Sequence, residues 1–308
     1  MKQTIPSGKM RHVVKAFKRL KEQDFRILNA IERGMAHYMY VPVQEVARLS
    51  NYSENYVLTK LKFLNSLGLV QRRLGAYPGF ILTSRGYDCL ALNALVKRGV
   101  LAAVTLKPIG VGKESDVFEG LTPSGRRVAV KFHRLGRTSF RKTRRYRAYI
   151  GERKHISWLY QARLAAEREY TALTLLFPHG VSVPEPISWN RHVVVTSIIE
   201  GIPLYMKPEL SDPLEVFYSI IENISRAVIK AEVVHGDLSE YNVIVDSDEN
   251  ITIIDWPQWV SVHHPSANML LKRDLLVLYR FFRSKYKLKD IGMEDIVKKY
   301  GLEEYICW

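Results

Sequence analysis

A chain of 308 residues, 47% hydrophobic and 25% charged, is long enough for two domains of ordinary size, each with its own core. Its 46 Lys and Arg against 31 Asp and Glu leave a net charge of +15, which favours a polyanionic partner, nucleic acid being the commonest. No apolar run reaches the roughly 20 residues that cross a bilayer, no apolar signal core opens the chain, and two cysteines (Cys89, Cys307) are too few for a disulfide framework, so no membrane and a reducing, cytoplasmic setting are expected.

In chain order, QDFRILNAIERGM carries Phe25, Leu28 and Ile31 at helical spacing. VPVQEVARLS follows, with a proline near its start. Ser53 is placed to cap a helix at about Ser53–Leu67 whose inward residues are Val57, Leu61 and Leu64. The turn GAYPG between two strand-like runs predicts a β-hairpin. Helices followed by a two-stranded wing are the winged-helix order, predicted for residues 1–92, and in that fold the third helix usually faces the major groove. Such domains also bind proteins. Here residues 1–90 hold 15 Lys or Arg against 6 Asp or Glu, which tilts the reading toward nucleic acid, with Lys60 and Lys62 as candidate contacts. TSRGYDCLALNALVKRGVLAAV is predicted as a helical linker into a second domain, residues 93–308.

That domain opens as strand, turn, strand in LKPIGVGKESDVFEGLTPSGRRVAVKFH. Gly110 and Gly112 let backbone N–H groups approach phosphates, and Ser115 offers a hydroxyl where a third glycine would stand. Lys131 sits inside the apolar run VAVKF, which is costly unless it snorkels to an edge, is paired, or is functional. It holds the place of the phosphate lysine of kinase folds. Its expected partner is Glu169, which shares an inward stripe with Leu173 and Leu176, while Glu167 is the solvated alternative. Between them, Arg134–Lys154 holds nine Lys or Arg against one acid, Glu152. A solvated loop is the plain reading of such a stretch, and contact with nucleic-acid phosphates the favoured one.

Further on, HGDLSEYN supplies Asp237 and Asn242 at the Asp-x4-Asn spacing of the kinase catalytic loop. Asp237 is suited to orient or accept a hydroxyl proton, and Asn242 to bind magnesium through oxygen. ITIIDW presents Asp255 at the end of an apolar strand, where it can hold the same metal. A strand-end aspartate alone is usually a turn cap. The whole set in this order points to phosphoryl transfer, which is mostly positioning and charge neutralisation. After Asp255 the chain runs to Trp308 with no A-P-E element, which leaves too little length for an activation segment plus a large helical subdomain.

Taken together, GVGKESDVF, VAVKFHRLGRTSF, RKHISWLYQARLAAEREY, VHGDLSEYNVIVD and IIDWPQWVSVHHP resemble the RIO-type atypical protein kinases. The winged-helix order is similar to the subfamily with that domain at its N-terminus, in a compact, archaeal-like form. The resemblance implies an α+β chain: a winged helix, then a bilobal kinase-like domain lacking the activation segment and peptide-binding helices. Its N-lobe is expected at about 100–195, its hinge at about 196–203 and its C-lobe at about 204–308. It implies ATP with Mg2+ (or Mn2+), bound by Gly110, Val111, Gly112, Lys113, Glu114, Ser115 and Val117, with Lys131 paired to Glu169. Adenine would meet backbone groups of Ser197 and Ile199; kinases often have an acidic residue where Ser197 stands. Asp237 would be catalytic and Asn242 and Asp255 metal ligands, with Asp255 also a phosphoacceptor in ATPase-like turnover. The resemblance further implies a serine/threonine kinase acting in maturation of the small ribosomal subunit, with the precursor particle and its rRNA as partners; a monomer is expected, though the sequence leaves the oligomeric state open. Ser139, eight residues past Lys131, is a candidate for autophosphorylation.

Two other classes share part of the pattern. Aminoglycoside- and choline-kinase-type phosphotransferases also carry HGDL…N…IDW, but build their substrate pocket from a substantial helical region after the metal aspartate. A winged-helix regulator with a degenerate kinase-like domain has no need of Lys131, Asp237, Asn242 and Asp255 together.

Overall fold

The computed structural model describes residues 8–73, 77–134, 158–288 and 292–306. Ser139, residues 135–154 of the arginine-rich stretch, residues 74–76 of the wing turn and Cys307 lie outside the described residues. The chain divides into two compact units. One comprises Met1–Arg126, Lys131–Arg163 and Asn190–Val193, the other Arg127–Val130, Leu164–Trp189 and Val194–Trp308.

The first unit opens with α1 (Gly8–Phe17), an element the sequence reading did not anticipate, which buries Met10, Val13 and Ala16. There follow α2 (Glu22–Gly34), β1 (Val41–Pro42), α3 (Val43–Ser50) and α4 (Glu54–Ser66). Ser53 caps α4, its hydroxyl accepting from the Tyr56 N–H at 3.4 Å, and Val57, Leu61 and Leu64 are fully buried. The expected third helix is therefore the fourth in the chain. The wing strands β2 (Val70–Arg73) and β3 (Gly79–Leu82) pair antiparallel, Val70 opposite Leu82, with β1 on the far side of β3.

The expected helical linker is α5 (Ser84–Lys97), and it is no solvated connector: residues 86–92 and Leu95 are all buried. Apolar residues on several faces of one helix mark a core element. Next come β4 (Ala103–Val111), β5 (Ser115–Leu121) and β6 (Arg127–His133). β4 and β5 form an antiparallel hairpin with Gly110 opposite Val117 and Val111 opposite Asp116. Along β6, Val128, Val130 and Phe132 are fully buried, and the two-residue period puts Lys131 on the opposite face.

Helix α6 (Trp158–Leu176) runs on into the second unit, where β7 (Pro186–Asn190) and β8 (Val193–Ser197) complete a five-stranded sheet in the order β4-β5-β6-β8-β7. The remainder is β9 (Ile202–Pro203), α7 (Pro213–Ala231), β10 (Val233–Val234), β11 (Val243–Val245), β12 (Ile251–Ile253), β13 (Val260–Ser261), α8 (Ala267–Lys285) and α9 (Met293–Lys299). Asp212 caps α7 by accepting from the N–H groups of Leu214 and Glu215, and Pro213 follows at the first helical position. The apolar stripe Phe217, Ile220, Ile221, Ile224, Val228 of α7 packs in one core with Leu271, Leu275, Leu278 and Phe282 of α8, and with Trp256. Burying each such side chain contributes about 1.5–3 kcal/mol before entropy is counted. Residues 256–266 alone separate Asp255 from α8, so no activation segment intervenes.

Candidate active site

The expected site residues fall into two groups. In the first unit, the turn between β4 and β5 exposes Val111, Gly112, Lys113 and Glu114 to solvent. Gly112 donates its N–H to the Ser115 carbonyl at 2.8 Å, which closes the turn. That bond shapes the turn expected to bind phosphate. A Cβ on Gly112 would stand 3.4 Å from the Ser115 hydroxyl, an ordinary contact distance. Lys131 is half-buried between the fully buried Val130 and Phe132.

The second unit holds the remainder. On α6, Glu169 is buried and Glu167 exposed, which matches the stripe argument for choosing between them. At the end of β8, the Ser197 N–H donates to the Glu185 carbonyl at 3.0 Å and its hydroxyl accepts from the Glu185 N–H at 3.0 Å. Those two groups are engaged with Glu185, and its carbonyl accepts from the Thr196 hydroxyl at 3.0 Å, with a second lone pair that an adenine amine could use. Ile199 follows beyond the strand.

Asp237, Asn242 and Asp255 do converge. β11 and β12 pair with Val243 opposite Ile253, and the Ile254 N–H donates to the Asn242 carbonyl at 2.9 Å. That register sets Asn242 and Asp255 at one end of the same hairpin. The Asn242 side chain donates to the Asp237 carbonyl at 2.9 Å, which leaves its amide oxygen as the outward acceptor. Asp237 is exposed, and its pKa is raised by partial desolvation, opposed by Arg273 at 3.8 Å and reinforced by the charge of Asp255. Asp255 has φ of +68°, a left-handed backbone that aspartate tolerates better than most residues but still at a cost of about 1 kcal/mol.

Several neighbours hold this arrangement. His235 is buried, and burial pushes its pKa down to about 4. Its neutral ring donates from Nε2 to the Ile254 carbonyl at 3.1 Å and accepts at Nδ1 from the Asp237 N–H at 3.2 Å. The imidazole thus links Ile254, which precedes Asp255, to the backbone of Asp237 itself. Gly236 has φ of +77°, and a Cβ there would meet the Gln258 carbonyl at 2.7 Å, so only glycine fits. On α8, the buried Asp274 accepts from the N–H groups of Gly236 at 2.8 Å and Leu238 at 3.2 Å. Arg273 bonds both Asp274 and the Gly236 carbonyl. Arg168 on α6 donates to the carbonyls of Pro257 and Trp259 and lies over the Trp259 ring, while the Trp259 indole returns a hydrogen bond to the Arg168 carbonyl at 2.9 Å.

A family model described as the RIO domain matches residues 116–294, and one described as Rio2, N-terminal, matches residues 17–98. The chain belongs to the RIO kinase family. Its curated relatives include the RIO-type serine/threonine-protein kinase Rio2 of Methanocaldococcus jannaschii, 44% identical over 88% of this chain and 99% of that one. The serine/threonine-protein kinase rio2 of Schizosaccharomyces pombe is 37% identical over 92% of this chain and 83% of its own. Among solved structures, the crystal structure of a Rio2 kinase-ADP/Mg2+-phosphoaspartate complex from Chaetomium thermophilum superposes with a TM-score of 0.80 at 32% identity, covering 95% of this chain and 90% of that one. The RIO kinase described here is thus an atypical serine/threonine protein kinase of the branch with an N-terminal winged helix.

Two expectations about its basic surface need correction. Arg134, counted with the arginine-rich stretch, is buried and paired with Asp88 and Asp116, so it is no phosphate contact. Lys60, offered as a nucleic-acid contact, lies 2.9 Å from the carboxylate of the buried Asp24. Lys62 is exposed. The sequence reading also passed over Asp274, Arg273, Arg168 and His235. Asp274 had left a signal: it stands in the apolar stripe Leu270, Leu271, Leu275, Leu278, where a charge is costly unless it has a task.

Proposed function

We propose that this RIO kinase transfers phosphoryl groups from ATP with Mg2+, and that it serves maturation of the small ribosomal subunit in the cytoplasm. The observation that carries the chemistry is the convergence of Asp237, Asn242 and Asp255 around one β-hairpin end. The donors fit magnesium: a carboxylate and an amide oxygen are hard ligands, and Mg2+ is usually held by one or two carboxylates plus substrate phosphates. Bound Mg2+–ATP supplies the transferable phosphoryl group and neutralises its charge. Asp237 orients the acceptor hydroxyl and takes up its proton, while Arg273 keeps that carboxylate from being pushed too far toward neutrality. Lys131, the Gly110–Ser115 turn and Val117 are read as phosphate-binding residues, Glu169 as a buried supporting carboxylate, and Ser197 and Ile199 as the adenine-facing positions.

Substitution tests these roles. Asp237→Ala and Asp255→Ala are each expected to lower phosphoryl transfer at least about a hundredfold, the usual scale for removing a positioned acid or base. Asp255→Ala alone should also weaken Mg2+-dependent nucleotide retention. Wild-type turnover in both variants would refute the assignment.

A second reading makes Asp255 itself a phosphoacceptor, so that turnover is ATPase-like. The phosphoaspartate in the Chaetomium Rio2 complex and the short 256–266 connection favour it. Phosphorylation that hydroxylamine strips from the protein and that Asp255→Asn abolishes would support this role. The ribosomal role draws on family membership and on the net charge of +15, and the proposed contacts are precursor rRNA with the winged helix and the arginine-rich stretch of a monomer. Co-sedimentation with small-subunit precursors that responds to nucleotide would support it, and its absence in low salt would refute it.

A further inference from the structure

One buried charge cluster in the first unit has no part in the chemistry above. Arg134 follows β6, and its guanidinium is 8% exposed. Nη1 and Nη2 donate to the two carboxylate oxygens of Asp88 on α5, at 2.5 and 2.9 Å. Nε donates to Asp116 at 3.3 Å, in the strand that leaves the glycine-rich turn. The Arg134 backbone N–H donates to the Glu114 carbonyl at 2.6 Å, inside that turn. Asp88 also receives the Nε2–H of His192 at 2.7 Å, a ring stacked on Tyr87 at 4.7 Å. Next to it, Arg191 pairs with Glu32 of α2 at 2.5 Å.

Taking such charges out of water costs several kcal/mol, and apolar residues of the same volume would often serve stability as well. What a planar fork adds is fixed geometry, because it matches a carboxylate in two places at once. The turn it reaches lies at the surface, with residues 111–114 exposed and Ile109 52% exposed, and is closed locally by the Gly112–Ser115 bond. Arg134 binds the turn at Glu114 and the strand at Asp116, and its other end is fixed by a helix of the winged-helix region.

We infer that Arg134 and Asp88 are positioning residues for nucleotide binding. They hold the Gly110–Ser115 turn in its phosphate-binding shape and make nucleotide affinity depend on the placement of α5. The inference rests on reading that turn as the phosphate site. Coupling of this kind is reciprocal, so nucleotide occupancy also biases the placement of α5.

The test is Asp88→Asn in the full chain, which keeps the shape and removes the charge. The dissociation constant for a fluorescent ADP analogue with Mg2+ is expected to rise about tenfold, within the ordinary range of coupling between sites. Amide exchange of the nucleotide-free protein should speed up across residues 110–118 as well as across α5. Faster exchange in α5 alone, with wild-type affinity, would overturn the inference. The double variant Asp88→Leu, Arg134→Met separates positioning from bulk stability, since paired removal of buried charges is often tolerated. With Tm restored toward wild type, it should still bind the analogue weakly; wild-type affinity would reduce the cluster to a structural role. Lys131→Met distinguishes the two readings. Unchanged affinity in that variant sinks the phosphate-site assignment, while loop exchange in Asp88→Asn still reports on the staple.

Discussion

Two histidines are kept neutral by burial, one in each unit. His235 has both ring nitrogens engaged around the catalytic loop, and His192 donates to Asp88; burial pushes each down to about 4 from the ordinary 6.5. A lowered histidine pKa means that the unfolded chain binds a proton that the native chain lacks between about pH 4 and 6.5, so stability rises with pH across that window. Asp274 acts in the opposite sense. Burial raises it to about 6 from 3.8, so between those values the native state holds a proton that the unfolded state has lost. It offsets one histidine there, leaving a net dependence of about 1.4 kcal/mol per pH unit from the group, which fades as the unfolded histidines themselves lose their protons above about pH 6.5. Denaturant titrations from pH 7 to pH 4 should therefore show falling stability, and Asp274→Asn should steepen the fall by removing the opposing group. A flat profile would mean that the two imidazoles are not held neutral. Asp274→Asn should also slow turnover, because its carboxylate receives the Gly236 and Leu238 amides that fix the backbone around Asp237.

Helix α4 shows how two lysines two positions apart can do different work. Lys62 is exposed, whereas Lys60 turns to Asp24, whose carboxylate is 1% exposed, and lies over the rings of Tyr56 and Phe63. Reversing Lys60 would leave Asp24 facing a like charge in a buried place, at a cost of about 3–5 kcal/mol. Lys60→Glu should thus lower Tm and reduce nucleic-acid binding only through unfolding. Lys62→Glu should leave stability within about 0.5 kcal/mol of wild type. If α4 meets a phosphate backbone, Lys62→Glu also weakens RNA binding and lowers the salt slope by about one. Filter binding at two salt concentrations beside thermal melts checks both; unchanged binding in Lys62→Glu moves the contact to another face. The helix itself was legible from its serine cap and its Val57, Leu61, Leu64 spacing, because caps and periodicity act within a turn or two of chain. The role of Lys60 was not, since Asp24 lies on another helix. The same division holds at the active site: Asp237, Asn242 and Asp255 sit in short local motifs, but the Asp274 and Arg168 contacts depend on how α8 and α6 pack.

At the scale of the whole molecule, the sequence reading set a division at residue 92, where α5 seemed to lead from one domain into the next. In the folded chain, α5 lies within one compact unit together with α1–α4, β4 and β5. The link is chemical as well as topological: Asp88 and Arg134 are 46 residues apart, and Asp88 and His192 are 104 apart, distances at which no sequence period carries a signal. Cutting between residues 92 and 93 would remove Asp88 while leaving Arg134 and His192 behind. Arg134 loses its bidentate carboxylate and the helix that covers it, so the guanidinium that fixes Glu114 and Asp116 is released to solvent. The same cut removes Tyr87, which stacks on His192, and Glu32, which pairs with Arg191. A fragment of residues 93–308 should therefore melt well below the full chain. It should also exchange amides rapidly through β4 and β5 while α7 and α8, whose core is built within the second unit, stay protected. Equal melting temperatures for fragment and full chain, with equal protection of β4 and β5, would show that the kinase part is held without the winged helix and that the Asp88–Arg134 pair contributes nothing to its order.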